Sequence, residues 1–241
     1  MSERFEQHPE LKTVSTPEFF REQILLPHES WSNEFQKYIH QKITEDQQFD
    51  ERWEGMTVEQ KRLAVFGRYL KGLDLSLELL NGKKIIDLGS GDGEFVSECL
   101  DQGITKEVYG IDIEDPMAKE KYVENFFRLN FAEPLPVTNA DYVFAYGSLS
   151  AFQEDNNLKK NLGNALSSIK SGGELRIYPI HRSSKGSGLI GIEESYQRWN
   201  DLLEQVSTEQ KIEWKLKPID MHVAGKNNDV WLEELLVIKK P

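Results

Sequence analysis

Residues 83–115 constrain the fold more than any other segment, because they alternate apolar runs with a glycine-rich turn: KKIIDLGSGDGEFVSECLDQGITKEVYGIDIED. The first apolar run enters the glycines, an amphipathic stretch follows them, and a second apolar run comes next. This order predicts a strand, a helix and a second strand, since neighbouring parallel strands require a crossover connection. The segment therefore predicts an α/β fold built on a parallel sheet.

The alternation of strands and helices continues towards the C-terminus. The downstream segments predicted as strand, helix, strand and helix are 141–145, 158–170, 174–180 and 192–206. The final two strand candidates, 212–218 and 233–239, have no helical pattern between them. We expect them to pair antiparallel at the edge of the sheet, because a parallel connection usually needs a crossover helix.

The pattern upstream of residue 81 is helical. Ser30 is placed to cap a helix with an aromatic stripe, and Thr57 and Gln60 have the spacing of a capping box ahead of another helix. We therefore divide the chain into a helical N-terminal extension, residues 1–80, and an α/β domain, residues 81–241.

The charge and cysteine content exclude several classes of protein. The 241 residues include 41 acidic and 29 basic side chains, a net charge of −12, so we expect no nucleic-acid partner.

The single cysteine, Cys99, cannot form an internal disulfide, and no segment has the roughly 20 apolar residues of a membrane span. The N-terminus lacks the pattern of a secretion signal, and the sequence predicts a cytoplasmic protein without a membrane partner. Its five histidines and one cysteine lack metal-ligand spacing, so no metal is expected.

The glycine-rich turn and a later carboxylate indicate a nucleotide-like ligand. Gly89, Gly91 and Gly93 let a ligand approach backbone N–H groups closely, because glycine has no Cβ in the way. Asp112 ends the second strand 19 residues after Gly93, where a carboxylate can accept hydrogen bonds from both hydroxyls of a ribose. A dinucleotide fingerprint requires a third glycine at position 94, which is Glu94, and this disfavours a dehydrogenase.

The segment IIDLGSGDGEF resembles motif I of the class I S-adenosylmethionine-dependent methyltransferases, in which a strand ends in an acidic residue followed by G-x-G-x-G. ADYVFAYG is similar to the fourth strand of that fold, and SIKSGGELRIYPI to the helix, turn and strand after it. The resemblance covers about residues 80–240. It implies a Rossmann-like, seven-stranded, mostly parallel sheet with an antiparallel C-terminal strand, helices on both faces, and S-adenosylmethionine as the cofactor.

The resemblance also implies which residues bind that cofactor. Asp87 would orient the amino group of the methionine part, Asp112 would hold the ribose hydroxyls, and Asn130 would hydrogen-bond the adenine edge. Ile113 and Phe131 would lie on the two faces of the adenine. The complete implied set is Asp87, Gly89, Ser90, Gly91, Gly93, Asp112, Ile113, Asn130, Phe131 and Tyr146.

The acceptor of the methyl group is less constrained than the cofactor. Residues 145–148 are Ala-Tyr-Gly-Ser instead of the Asn-Pro-Pro-Tyr of relatives that methylate nucleobases or glutamine, so we expect a small-molecule acceptor. His181, just past the fifth strand of that fold, is the candidate general base. Appended N-terminal helices frequently cover the cofactor in this superfamily, so residues 15–75 are expected to form a cap, and residues 183–188 a gate or a flexible connection.

Two alternatives to a methyltransferase stay open on the sequence. The first is a nicotinamide-dependent oxidoreductase with an altered glycine loop. The second is a binding or scaffold protein that keeps the methyltransferase fold without turnover.

Overall fold

A seven-stranded sheet lies at the centre of the protein. The computed structural model describes residues 18–26, 28–116, 120–149, 155–183, 189–224 and 229–241. The strands are β1 (Ile85–Leu88), β2 (Val108–Asp112), β3 (Phe126–Arg128), β4 (Ala140–Tyr146), β5 (Ile169–Arg182), β6 (Glu213–Ala224) and β7 (Asp229–Lys239). Their spatial order is β3-β2-β1-β4-β5-β7-β6. Strand β7 runs in the opposite direction to the other six strands and pairs antiparallel with β5 and β6. The predicted mostly parallel sheet with an antiparallel C-terminal strand is therefore confirmed.

Four strand assignments differ from the sequence interpretation. No strand is predicted at β3, because its three residues are too few to show an alternation. β5 begins at Ile169, immediately after a helix that ends at Ser168, whereas the sequence predicts a helix to residue 170 and a strand from 174. β6 and β7 also extend further into their hairpin than predicted. The polar residues of these extensions interrupt the apolar runs from which the strands are predicted.

The described helices surround the sheet. They are α1 (Glu18–Ile24), α2 (Asn33–Gly55), α3 (Val58–Gly72), α4 (Leu77–Leu80), α5 (Glu94–Asp101), α6 (Asp155–Ser168) and α7 (Ile190–Gln210). The capping box before α3 is confirmed, because the side chains of Thr57 and Gln60 each accept from the other's backbone N–H. Ser30 does not cap α2, since it lies in a short 3-10 turn, and the hydroxyl of Ser32 accepts from the Phe35 N–H instead.

The sheet buries an apolar core on each face. On one face, side chains of α6 and α7 such as Leu162 and Leu203 pack on the strands. On the other face, α3 and α5 contribute Phe66, Tyr69 and Phe95. Helix α3 thus lies against the sheet itself, although it precedes the strands in the chain.

Helices α1 and α2 form a third apolar cluster with the β6–β7 hairpin. Phe20, Ile24 and Phe35 of the helices pack against Met221 and Leu232 of the hairpin. None of the helices in the described ranges is long and apolar enough to cross a membrane. The same ranges contain no cluster of three metal-ligating side chains.

Candidate active site

The turn after β1 depends on glycine at three positions. Gly89, Gly91 and Gly93 all have positive φ, at 73°, 54° and 80°. Positive φ is strained for residues with a side chain, and glycine adopts it freely. A Cβ added to Gly89 would also lie 2.2 Å from the Cβ of Ser148. The turn predicted from the sequence therefore exists, and it brings the chain after β1 close to the chain after β4.

Asp112 joins the end of β2 to this turn. Its Oδ2 accepts from the Gly91 N–H at 3.0 Å, and its Oδ1 accepts from the Glu114 N–H at 3.2 Å. A carboxylate has about four acceptor positions, so both oxygens keep a lone pair for a further donor.

A cavity of about 520 Å³ opens at the carboxyl ends of the parallel strands. Its lining residues are Gly89, Asp112, Ile113, Asn130, Phe131, Ala132, Tyr146, Gly147, Ser148, Asn157 and Asn161. Six of the ten residues implied for the cofactor lie in this lining, and the other four, Asp87, Ser90, Gly91 and Gly93, do not. Among the described side chains, none from α1–α4 lines the cavity. The expected gate at 183–188 falls almost entirely outside the described residues.

Five lining residues were missed by the sequence interpretation. Gly147 and Ser148 follow β4 directly, and their position after a strand was the available signal. Asn157 and Asn161 come from α6, one helical turn apart. Their spacing shows a shared helix face, but nothing in the sequence shows which sheet end that face meets.

The turn that carries Asn130 and Phe131 is held by two asparagine side chains. The Oδ1 of Asn130 accepts from the Ala132 N–H at 2.9 Å, so this oxygen serves the turn while the amide NH₂ remains a donor. The Nδ2 of Asn164 in α6 donates to the carbonyls of Phe131, at 2.7 Å, and Glu133, at 3.0 Å. Because Asn164 ties this turn to a packed helix, it fixes one wall of the cavity.

Asp87 is completely buried at the end of β1. The hydroxyl of Tyr69 in α3 lies 3.3 Å from both of its carboxylate oxygens. Burial raises the pKa of Asp87 to about 8, the nearby charges of Glu94 and Asp112 raise it too, and the hydrogen bond from Tyr69 opposes the rise. The group is therefore protonated in a large fraction of molecules at neutral pH.

Tyr69 connects Asp87 to the cavity wall. Its ring stacks between Phe95 and Tyr146, with 4.6 Å between ring centroids on each side. Tyr69 was not among the residues implied by the sequence, because its helical stripe predicts only apolar packing at this position.

His181 lies outside the cavity lining. Its Nε2 is 3.8 Å from Oε1 of Glu233, and its ring meets Trp231 edge-on. Glu233 accepts a hydrogen bond from the Tyr178 hydroxyl, and the Tyr178 ring lies 5.4 Å from that of Tyr146. His181 is thus separated from the cavity by two tyrosine rings.

Comparison with known proteins gives a family and a fold. Residues 86–177 match the family model described as a methyltransferase domain. No curated protein sequence matches the chain. Two solved structures are similar to this chain, each at TM-score 0.51. Because their sequence identity is low, this similarity shows the fold alone. One is a chain of the Haloferax volcanii complex between the Trm112 methyltransferase activator and its assigned methyltransferase, at 13% identity, covering 75% of this chain and 94% of that chain. The other is a protein assigned as an O-methyltransferase from Nostoc punctiforme, at 11% identity, covering 75% and 59%.

The family model, the strand order and the glycine turn agree. Residues 86–177 match the methyltransferase-domain family, and the sheet has the mostly parallel order with an antiparallel C-terminal strand that the resemblance implies. The resemblance inferred from residues 85–95 is therefore confirmed at the level of the superfamily.

Proposed function

We propose that this protein transfers the methyl group of S-adenosylmethionine to a small-molecule acceptor. The observation that carries the proposal is the Asp112 carboxylate, placed beside the glycine turn in a cavity at the carboxyl ends of β1, β2 and β4. Ligands of open α/β sheets bind at this end of the strands.

The residues around the cavity fit an adenosine group. Its volume of about 520 Å³ lies within the range of small-molecule sites, roughly 300–1,000 Å³. Each oxygen of Asp112 can accept one hydroxyl proton of a ribose. Ile113 is 60% exposed at the rim, and Phe131 lies in the same lining, so two apolar side chains are available to an adenine.

Asp87 and the turn suit the methionine part. Gly89 and Gly91 have positive φ and no side chain, so a ligand can approach their backbone closely. A protonated Asp87 would lose its proton on binding the ammonium group, since a nearby positive charge favours the carboxylate. Ser90, Gly91, Gly93 and Asn130 keep the roles that the resemblance implies, as parts of this proposal.

The protein contributes alignment to the reaction. The cofactor supplies a methyl group already activated by its sulfonium, so the chain has to place a nucleophile in line with it and exclude water. Tyr146, in the cavity wall and packed on Tyr69, is positioned to line the cofactor or the acceptor.

Isothermal titration with S-adenosylhomocysteine and, separately, NADH tests the cofactor assignment. We expect binding of S-adenosylhomocysteine and none of NADH. The reverse preference would support the oxidoreductase alternative. Binding of S-adenosylhomocysteine without methyl transfer to any member of a broad acceptor panel would favour the scaffold alternative.

Three further predictions accompany this function. We predict from the sequence alone a domain division at residue 80, a cap formed by residues 15–75 and a cytoplasmic location. Retention of cofactor affinity and of every methylation activity after deletion of residues 1–75 would exclude the cap. Residues 1–17 fall outside the described structure.

A further inference from the structure

Three asparagines lie on one face of helix α6, next to the turn that carries Asn130 and Phe131. They are Asn157, Asn161 and Asn164, spaced by four and three residues, and we call them the asparagine row. Residues at this spacing are neighbours on a helix surface, with about 5–6 Å between their Cβ atoms. Asn157 and Asn161 line the cavity, and Asn164 holds the turn.

Asn161 is a buried member of the asparagine row. It is 6% exposed, whereas Asn157 is exposed, and its helical neighbours Leu158 and Leu162 belong to the apolar core on this face of the sheet. Asparagine is rarely buried, because a carboxamide in apolar surroundings loses its hydrogen bonds to water. A carboxamide has two donor hydrogens and two acceptor lone pairs, so Asn161 can serve a partner within the protein and a ligand in the cavity together.

Asn164 fixes where Asn161 meets the cavity. The Nδ2 of Asn164 donates to the carbonyls of Phe131, at 2.7 Å, and of Glu133, at 3.0 Å. Asn161 precedes Asn164 by one helical turn on the same face, and it lines the cavity together with Asn130 and Phe131. The side chain of Asn161 therefore lies beside the residues proposed for the adenine.

The acceptor atoms of the Asn130 turn are already engaged. The Oδ1 of Asn130 accepts from the Ala132 N–H at 2.9 Å, and the Asn130 carbonyl accepts from the Glu133 N–H at 2.9 Å. The Phe131 carbonyl accepts from Asn164. The NH₂ of Asn130 suits a ring nitrogen of adenine, but a donor cannot accept the hydrogen bond that the 6-amino group of adenine offers.

The hydrogen-bonding edge of adenine carries the 6-amino donor beside ring-nitrogen acceptors. A carboxamide matches this pair, as it does where asparagine reads adenine in DNA. We propose that Asn161 recognises the adenine of the cofactor, with its Oδ1 accepting from the 6-amino group and its NH₂ donating to the adjacent ring nitrogen. The inference rests on the proposed methyltransferase function. It makes Asn161 a specificity-determining residue, in a helix where the sequence resemblance implies no cofactor contact.

Adenine recognition is thereby divided between two elements. Asn130, after β3, donates to one ring nitrogen, and Asn161, in α6, accepts from the amino group. Because Asn164 fastens α6 to the turn, the spacing of these two contacts is set before the cofactor binds. A preorganised site loses less conformational entropy on binding, so both contacts contribute to affinity.

Removal of the 6-amino group from the ligand tests the contact. The full-length protein is titrated calorimetrically with S-adenosylhomocysteine and with the analogue in which hydrogen replaces the 6-amino group. We expect wild type to bind the analogue about tenfold more weakly, because a buried acceptor loses its donor. An oxo group at this position would be less informative, since a carboxamide can rotate and exchange its donor and acceptor. Equal binding of the two nucleosides by wild type would overturn the proposal.

Two substitutions of Asn161 separate its acceptor atom from its packing. Asn161→Leu has a similar volume without polar atoms, and it is expected to bind the two nucleosides equally. Asn161→Asp keeps an acceptor oxygen, and it is expected to retain the preference for the 6-amino group. Thermal denaturation establishes that each variant is folded. A full preference in folded Asn161→Leu, or its loss in folded Asn161→Asp, would contradict the role of Asn161.

Asn200→Leu is the matched control, because Asn200 donates only to Tyr196 of its own helix and lies outside the cavity lining. It is expected to keep the preference of wild type. The same titrations separate the two levels of the account. Binding of S-adenosylhomocysteine without any preference for its 6-amino group overturns the role of Asn161 alone, whereas no binding by folded wild type identifies an error in the proposed function.

Discussion

At the scale of single residues, the pair Tyr69 and Asp87 determines how the site responds to pH. Asp87 has no charged partner at hydrogen-bonding distance in the described structure, and Tyr69 is its donor. The sequence could assign Asp87 by its place at the end of β1. It could not assign Tyr69, because contact between a helix and the end of β1 is set by tertiary packing.

Tyr69→Phe is expected to raise the pH at which S-adenosylhomocysteine binding reaches half its maximum strength. The hydrogen bond from Tyr69 lowers the pKa of Asp87, so its loss makes deprotonation harder. Titration calorimetry from pH 6 to 9 measures the midpoint. Tyr142→Phe is the control, because Tyr142 packs on the same face of the sheet but outside the cavity lining. An unchanged midpoint in Tyr69→Phe would show that Tyr69 does not influence Asp87.

Asp87→Asn is expected to remove a pH dependence of stability. The folded-state pKa of about 8 exceeds the unfolded value of about 3.9, so folding takes up a proton between these values. The stabilisation from this proton is complete below about pH 4 and is lost as the pH rises through 8. As the pH rises from 5 to 8, the free energy of unfolding of the variant should increase by about 2–4 kcal/mol relative to that of wild type, as measured by urea denaturation. A constant difference across this range would refute the raised pKa.

At the scale of elements, helix α3 is the clearest link between the N-terminal region and the site. Its capping box is visible in the sequence and is confirmed. The elements that could not be predicted were those with little local signal. β3 is three residues long, and the ends of β5, β6 and β7 carry polar side chains such as His181, His222 and Asp229.

Phe66→Ala should lower the free energy of unfolding by about 3–5 kcal/mol, because Phe66 is fully buried and stacks on Phe95. The control is Val58→Ala in the same helix, since Val58 is 84% exposed and its loss should change stability by less than about 0.5 kcal/mol. Both are measured by chemical denaturation. Similar losses for the two variants would mean that α3 is not packed as described.

Asn164→Ala is expected to weaken S-adenosylhomocysteine binding about tenfold, because the turn with Phe131 loses both donations from α6. Asn200→Ala on α7, where the amide donates only to Tyr196 of its own helix, is the control and should bind normally. Calorimetry compares the two variants. Equal affinities would show that the turn holds its shape without Asn164.

At the scale of the whole molecule, the glycine turn and Asp112 were predictable, and the side-chain contacts between β5, β7 and β6 were not. The positions of most strands follow from local patterns of hydrophobicity, and the glycine turn and the seven-stranded sheet follow from the resemblance carried by residues 85–95. The contacts of Glu233 with His181 and His222 depend on the register of β7 with β5 and with β6, both of which it pairs antiparallel. A pattern along one strand cannot show which side chains of the next strand lie opposite.

The most direct test of the cofactor site is calorimetric titration of wild type, Asp112→Asn and Asp92→Asn with S-adenosylhomocysteine. Asp92 is an exposed carboxylate in the same turn and outside the cavity lining, so it controls for the loss of one negative charge nearby. The account predicts that Asp112→Asn weakens binding by at least about tenfold, the loss of charge-assisted hydrogen bonds to the ribose, while Asp92→Asn leaves it unchanged. Equal binding by all three proteins, or none by folded wild type, would contradict it.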